Sequence, residues 1–406
     1  DYVRLISQDL KEAGYNCGYS GKWHCGTSKV PSTYGFRGMD VPAYGHPFRT
    51  KEYKEYIKKK NLKEPSLVEC IPPSALEKPR LTGKCGTYSG DPEACEPYFI
   101  ADYSINMIKD FLKEGKPFMM FVSFWGPHHP CVVPEPYASM YSPEDVQLWD
   151  SFDDDLKCKP RAHRIFRNSI YPGGKDLSRE TWKKMIAKYW GACTFIDDQV
   201  GRMMKALDEL GISDTTAILF STDHGDTMGC HGQLWDKGPF MYEDTYHIPQ
   251  IVKIPWLRKE GDYCEKFVFN MDLATTALDI AGIKPKSPHD ARSLLPLVEN
   301  PNAEWPDDIM SEFHGHRFIY TMRMIRWDKY KYVFNAADFD ELYDLEKDPS
   351  EMNNLIANRE YAKIADEGRK RLLKWIKDTS DVFDICAADY VNERSATVDI
   401  GLASNL

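Results

Sequence analysis

A chain of 406 residues, 42% hydrophobic and 28% charged, can bury a sizeable core, and its 26 Gly and 26 Pro keep it outside the disordered and collagen-like ranges. The net charge of −10 argues against a duplex nucleic-acid binder that works by neutralising phosphates. The longest nearly apolar run, Phe118 to Trp125, falls far short of the roughly 20 residues a membrane-spanning helix needs, so neither nucleic acid nor membrane is expected as a partner. The 11 cysteines include no Cys-x-x-Cys, which removes support for a zinc ribbon or a redox dithiol motif; their odd number leaves at least one outside any internal disulfide. The sequence opens at Asp1 without a signal-like apolar segment and holds no Asn-x-Ser/Thr, so targeting does not reveal a compartment.

In chain order, Asn16 to Ser20 reads as the first strand. Residues 46–97 look like a loop-rich insertion that carries a lysine-heavy run, Lys51 to Lys63. Phe118 to Phe124 is the second strand, and residues 134–178 form another insertion of the kind that shapes a substrate cleft. Ile186, Tyr189, Cys193, Ile196, Val200, Met203, Leu207 and Leu210 recur at alternating spacings of three and four, which predicts a core-facing helix stopped by Gly211. Thr216 to Thr222 and Ile248 to Ile254 are further strands. Near-continuous apolarity in these strands predicts burial on both faces.

From about Ser311 the pattern changes. Phe318 to Met324 and Tyr330 to Phe334 read as strands and Tyr361 to Lys377 as a helix. The expected architecture is therefore α/β, a mostly parallel mixed sheet sandwiched by helices over residues 1–310. A smaller α+β domain with an antiparallel sheet is expected over 311–406.

The polar groups with chemical reach gather where strands end, which is where ligands of open α/β sheets bind. Asp223-His224-Gly225-Asp226 follows Thr216 to Thr222 directly. Asp223 and His224 can share one ion only if the backbone turns there, as Gly225 allows; a turn capped by Asp223 is the alternative. Lys22 and His24 follow the first strand two residues apart, a spacing that suits holding an oxyanion while moving a proton, or else a surface lysine beside a hydrogen-bonded histidine. Gly126-Pro127-His128-His129-Pro130 ends the second strand, and Trp235-Asp236-Lys237-Gly238 adds another lysine. Together Lys22, His24, His128, Asp223, His224 and Lys237 describe a metal-assisted anion site with a spare acid.

These blocks resemble the sulfatase family of the alkaline phosphatase superfamily. The resemblance rests on Gly14 to Gly26, on Phe124 to Pro130, on Ser221 to Asp226 and on Leu234 to Phe240. It continues through Ile248-Pro249, Tyr343-Asp344-Leu345, Asp348-Pro349 and Asn354-Leu355, all in family order. The resemblance implies an alkaline phosphatase-like fold and a sulfuric ester hydrolase acting on a sulfated substrate, a carbohydrate by the glycan-acting character of the Glu312 to Arg317 region. It implies that Asp223 and His224 bind a divalent metal, usually calcium, and that Lys22 and His24 hold a formylglycine hydrate and the sulfate oxygens. His128 and Lys237 would stand on the leaving-group side, His128 as general acid. His314, His316 and Arg317 would line a pocket for acidic or hydroxyl-rich sugar groups. Related enzymes work in the periplasm, the lysosome or outside the cell.

One feature of the family pattern does not occur. The Cys-x-Pro-x-Arg motif whose Cys or Ser becomes formylglycine, and the Asp-Asp pair before it, are absent: Cys70-Ile-Pro-Pro-Ser74 lacks the Arg and Cys158-Lys-Pro-Arg161 has the wrong order. The sequence therefore looks like a sulfatase without its N-terminal segment, and these 406 residues alone are expected to be inactive. Phosphonate or phosphate ester hydrolysis within the same superfamily is the neighbouring reading. A non-catalytic sulfated-glycan binder is the reading from another class.

Overall fold

Residues 4–25, 28–41, 45–72, 85–170, 176–258, 261–315, 319–381 and 383 are described in the computed structural model of the chain. The first strands are β1 (Asn16–Gly21), β2 (Arg37–Gly38), β3 (Leu67–Ile71), β4 (Cys85–Tyr88), β5 (Phe118–Ser123), β6 (Cys131–Pro134), β7 (Ile218–Ser221) and β8 (Gln250–Lys253). β1 is buried along its whole length and pairs in parallel with β2 and β5. Gly21 closes it at φ 97°, and a Cβ there would stand 1.8 Å from the Ser123 carbonyl oxygen, so only glycine lets β1 and β5 approach this closely. β4 pairs antiparallel with β3 and parallel with β6.

Two long helices cover these strands. Glu96–Lys113 buries Phe99, Ile100, Ile108 and Phe111. Arg179–Glu209 starts at Ser178, whose hydroxyl accepts the Thr181 N–H, and buries Trp182, Met185, Ile186 and Ala187 in the largest apolar cluster. Gly211, at φ 69°, ends it as expected, its N–H bonded to the Asp208 carbonyl. The lysine-heavy run expected in a loop forms the helix Lys51–Lys60 instead, because Tyr53 and Ile57 stand four apart and bury on one face.

The expected strands are all present, though shorter for β7 and β8, but burial on both faces holds only for β1. Phe121 of β5 is 48% exposed and Ile251 of β8 61%. The reason is topological: β5 is an edge of its sheet, and β7 pairs only with β8, antiparallel, among the described residues. Apolarity recorded the strands' character but not which neighbours would cover them.

The last sheet comprises β9 (Asp308–Phe313), β10 (Met322–Trp327), β11 (Tyr330–Asn335) and β12 (Glu341–Asp344), antiparallel in the order β12-β11-β10-β9. β9 begins before residue 311, so the change of pattern at Ser311 falls inside a strand already paired with β10. The strand expected from Phe318 starts only at Met322; residues 316–318 lie outside the described set. The helix Ala362–Asp378 packs Leu372 and Ile376 on Ile325, Tyr332 and Phe334.

This sheet docks on the segment after Lys237 through buried charge. Lys331, fully buried, donates to the Met241 carbonyl at 3.0 Å and pairs with Glu243 at 2.6 Å and Glu351 at 2.8 Å. Glu351 also accepts the Glu243 backbone N–H at 2.7 Å. No helix among the described residues is long and apolar enough to cross a membrane.

Candidate active site

Lys22 continues the β1 ladder, its N–H bonded to the Ser123 carbonyl at 2.8 Å. Its side chain is 8% exposed and its Nζ lies 4.7 Å from the centre of the Trp125 ring. Burial lowers its pKa, with Asp223 opposing and Lys237 adding to the effect. His24 stands at the surface; partial burial and then the Lys22 charge lower its pKa as well. Trp23 between them turns into the core against Tyr19.

His128 comes from the turn after β5, and its Nδ1 is 2.8 Å from the His129 carbonyl oxygen. A carbonyl only accepts, so Nδ1 carries the proton and Nε2 offers a lone pair. Lys237 Nζ lies 3.3 Å from that Nε2 and 3.1 Å from Asp236 Oδ1. Burial, then the neighbouring His129, pushes the His128 pKa down to about 3. Asp236 is fully buried at φ 66°, and Met228, His231 and Gln233 also have positive φ, so strained backbone borders the site. Asp226 ties the ends of that loop together by accepting the Met228 N–H at 3.0 Å and the Asp236 N–H at 3.1 Å. Burial and the Asp236 charge raise the Asp226 pKa.

Asp223 and His224 follow β7. His224 Nδ1 is 2.7 Å from the Gly225 carbonyl, which leaves Nε2 3.6 Å from Asp223 Oδ2, and the His224 ring centre is 5.5 Å from that of His128. Burial works to raise the Asp223 pKa, but His224 and Lys22 outweigh it and hold the carboxylate below its ordinary value. Burial lowers the His224 pKa against the pull of Asp223. Gly225 was expected to supply conformational freedom; its φ is not in the left-handed range, and what it supplies is space. Its N–H bonds to the Thr245 carbonyl at 3.0 Å, and a Cβ would lie 1.9 Å from the Asp244 carbonyl oxygen.

The structure thus brings Lys22, His24, Asp223, His224, His128 and Lys237 into one electrostatically coupled cluster. His314 Nε2 lies 2.6 Å from Glu312 Oε2, and His316 and Arg317 lie outside the described residues. Sequence reasoning gave no role to Asp236 or His129. With His128 they offer donor atoms that all lie within 4.8 Å of one another. The signal available was adjacency, since each flanks a residue already selected.

The donors at the end of β7 fit a divalent ion. Asp223 has 64% of its side chain exposed and His224 directs an unprotonated Nε2 beside it. Two donors leave most of the six to eight positions of a calcium ion to other groups.

Lysines, imidazoles and a carboxylate gathered beside the ends of β1, β5 and β7 make a site that suits a tetrahedral oxyanion. The Sulfatase family profile matches residues 2–283, and that of N-sulphoglucosamine sulphohydrolase, C-terminal, matches residues 229–378. The chain belongs to the sulfatase family. It is 28% identical over 407 residues to an arylsulfatase of Clostridium perfringens (strain 13 / Type A), covering 92% of this chain and 78% of that one. A phosphonate monoester hydrolase of Agrobacterium radiobacter superposes with a TM-score of 0.72 at 23% identity, covering 91% of this chain and 79% of the other. A protein solved in complex with its substrate D-glucosamine-2-N,6-O-disulfate superposes with a TM-score of 0.71 at 20% identity, covering 93% and 82%. The fold is alkaline phosphatase-like.

Proposed function

We propose that the protein is a sulfuric ester hydrolase that removes sulfate from a carbohydrate. The contact of Lys237 with His128, beside Lys22, Asp223 and His224, carries this reading. Lys22 draws the anionic group in. Lys237 and His128 act as one acid: the ammonium presents a proton to the Nε2 lone pair or to the departing ester oxygen, and the Nδ1–H···O bond to His129 keeps the ring turned toward it. Asp223 and His224 would hold a divalent ion, calcium by family resemblance, which would supply positive charge beside the anionic group. The sugar preference is supported by the superposed protein whose bound substrate is a glucosamine disulfate.

The nucleophile is the finer part of the proposal. A formylglycine made from Cys or Ser is what the family resemblance calls for, and these residues contain no Cys-x-Pro-x-Arg motif, so the 406-residue chain alone does not turn over sulfate esters. By family resemblance alone we propose that the protein works in the periplasm, the lysosome or outside the cell. The test is sulfate release from 4-nitrophenyl sulfate and N-acetylglucosamine 6-sulfate, by the protein isolated from its natural source and by the 406-residue chain side by side. Release by the first alone supports both statements, release by the second overturns the inactivity, and release by neither overturns the sulfatase reading in favour of glycan binding.

Phosphonate ester hydrolysis is the second reading, favoured by the superposed phosphonate monoester hydrolase. Sulfuryl and phosphoryl groups are of similar size and shape. A higher kcat/KM for phenyl phosphonate than for phenyl sulfate would decide for it.

A further inference from the structure

One position beside His128 already holds a cation. Lys237 Nζ stands 3.3 Å from the Nε2 of His128 and 3.1 Å from Oδ1 of the fully buried Asp236. The other oxygen of Asp236, Oδ2, lies 4.0 Å from the Nε2 of His129, and the ring centres of His128 and His129 are 4.4 Å apart. The donor atoms of His128, His129 and Asp236 all fall within 4.8 Å of one another. Ligand atoms around a tetrahedral zinc ion stand about 3.4 Å apart, so these three have about 1.4 Å to close at most.

We propose that His128, His129 and Asp236 form a site for a borderline transition-metal ion such as zinc, distinct from the Asp223 and His224 pair, and that this ion competes with the Lys237 ammonium for its place.

The donor set selects the ion. Two imidazoles and one carboxylate suit zinc and are far from the six to eight oxygens that calcium takes. His128 is already arranged as a ligand: its Nδ1–H is held by the His129 carbonyl, the kind of bond that fixes the tautomer of metal-binding histidines, and its Nε2 lone pair faces the cation. No proton has to leave that nitrogen for a metal to bind. Lys237 is the cation that compensates the buried Asp236 carboxylate, and a divalent ion fills the same role with twice the charge. The lysine side chain is 24% exposed on a flexible four-carbon stem, so its ammonium passes to solvent still protonated when the ion takes its two contacts. With Lys237 displaced and Nε2 of His128 bound to metal, the acid pair is lost and zinc inhibits. That consequence rests on the sulfate ester reading, whereas the binding does not.

Zinc chloride would be titrated into the 406-residue chain by calorimetry with calcium in excess, and cobalt chloride by visible absorption, whose bands report the coordination geometry. Lys237→Ala should bind zinc about tenfold or more tightly, because the competing ammonium is gone, and His129→Gln and Asp236→Asn should each bind it about tenfold or more weakly. Asp223→Asn should leave zinc affinity unchanged. If Asp236→Asn does not fold, His129→Gln and Lys237→Ala decide. Affinity that both of these leave unchanged, or that Asp223→Asn abolishes, would overturn the site. In the protein isolated from its natural source, zinc added over calcium should suppress sulfate release, and less so in His129→Gln; full turnover with zinc bound would overturn the competition. If that protein cleaves no sulfate ester, the catalytic reading fails by itself and the titrations alone judge the site.

Discussion

Lys237 Nζ stands 3.3 Å from the Nε2 of His128, whose other nitrogen is fixed on the His129 carbonyl, so a cation and a neutral imidazole share one position on the leaving-group side. Asp236, fully buried, holds Lys237 there from behind.

That arrangement predicts a dependence on the leaving group. Lys237→Ala should cost an alkyl sulfate about 10²–10⁴-fold in kcat, the usual range for a positioned proton donor, and 4-nitrophenyl sulfate much less, because nitrophenolate departs without a proton. Equal losses on the two substrates would remove Lys237 from proton transfer.

A second prediction follows from the burial that lowers the His128 pKa to about 3. The unfolded chain protonates this group near its ordinary pKa of about 6.5 while the folded one does not. Between those values the unfolded state binds more protons, so stability falls as pH drops from about 6.5 toward 3. His128→Gln should flatten that decline in urea-unfolding midpoints taken between pH 7.5 and 5. The buried His163, also well below its ordinary value, leaves a residual slope.

At Gly225 a methyl group would meet the Asp244 backbone at 1.9 Å. Gly225→Ala should therefore displace Asp223 and His224, destabilise the fold by about 1–3 kcal/mol and weaken calcium binding measured by calorimetry. Wild-type affinity in this variant would mean that the ion is held elsewhere.

The docking of the last sheet is testable through Lys331 and Glu351, which are 0% and 1% exposed. Glu351→Gln should destabilise by about 3 kcal/mol, because a buried ammonium loses one of its carboxylates. Adding Lys331→Met should not recover that loss, since Glu243 then loses the ammonium 2.6 Å away. Chemical unfolding of the single and double variants measures both.

The motif blocks made much of the site legible in advance. His128 and Asp223-His224 follow strand ends and Trp-Asp-Lys237 lies in the loop between β7 and β8, and strand ends converge in an open α/β sheet, so residues more than a hundred positions apart, such as His128 and Lys237, could be grouped before any contact was seen. Glu96 and His46 could not. They lie in a stretch without periodicity, and the contact of Glu96 with His46 and of His46 with the Trp125 ring forms only on folding, which no local pattern encodes.

The sequence by itself determined the family, a helix carrying the apolar stripe from Ile186 to Leu210 and the identity of the charged groups near the strand ends, because periodicity and motif spacing are local properties of the chain. Only the tertiary structure decided that β7 pairs antiparallel with β8, that Lys237 faces His128 Nε2, and that Gly225 is needed for space. Those outcomes depend on which distant surfaces come to lie against each other, and burial and hydrogen-bond partners exist only once they do.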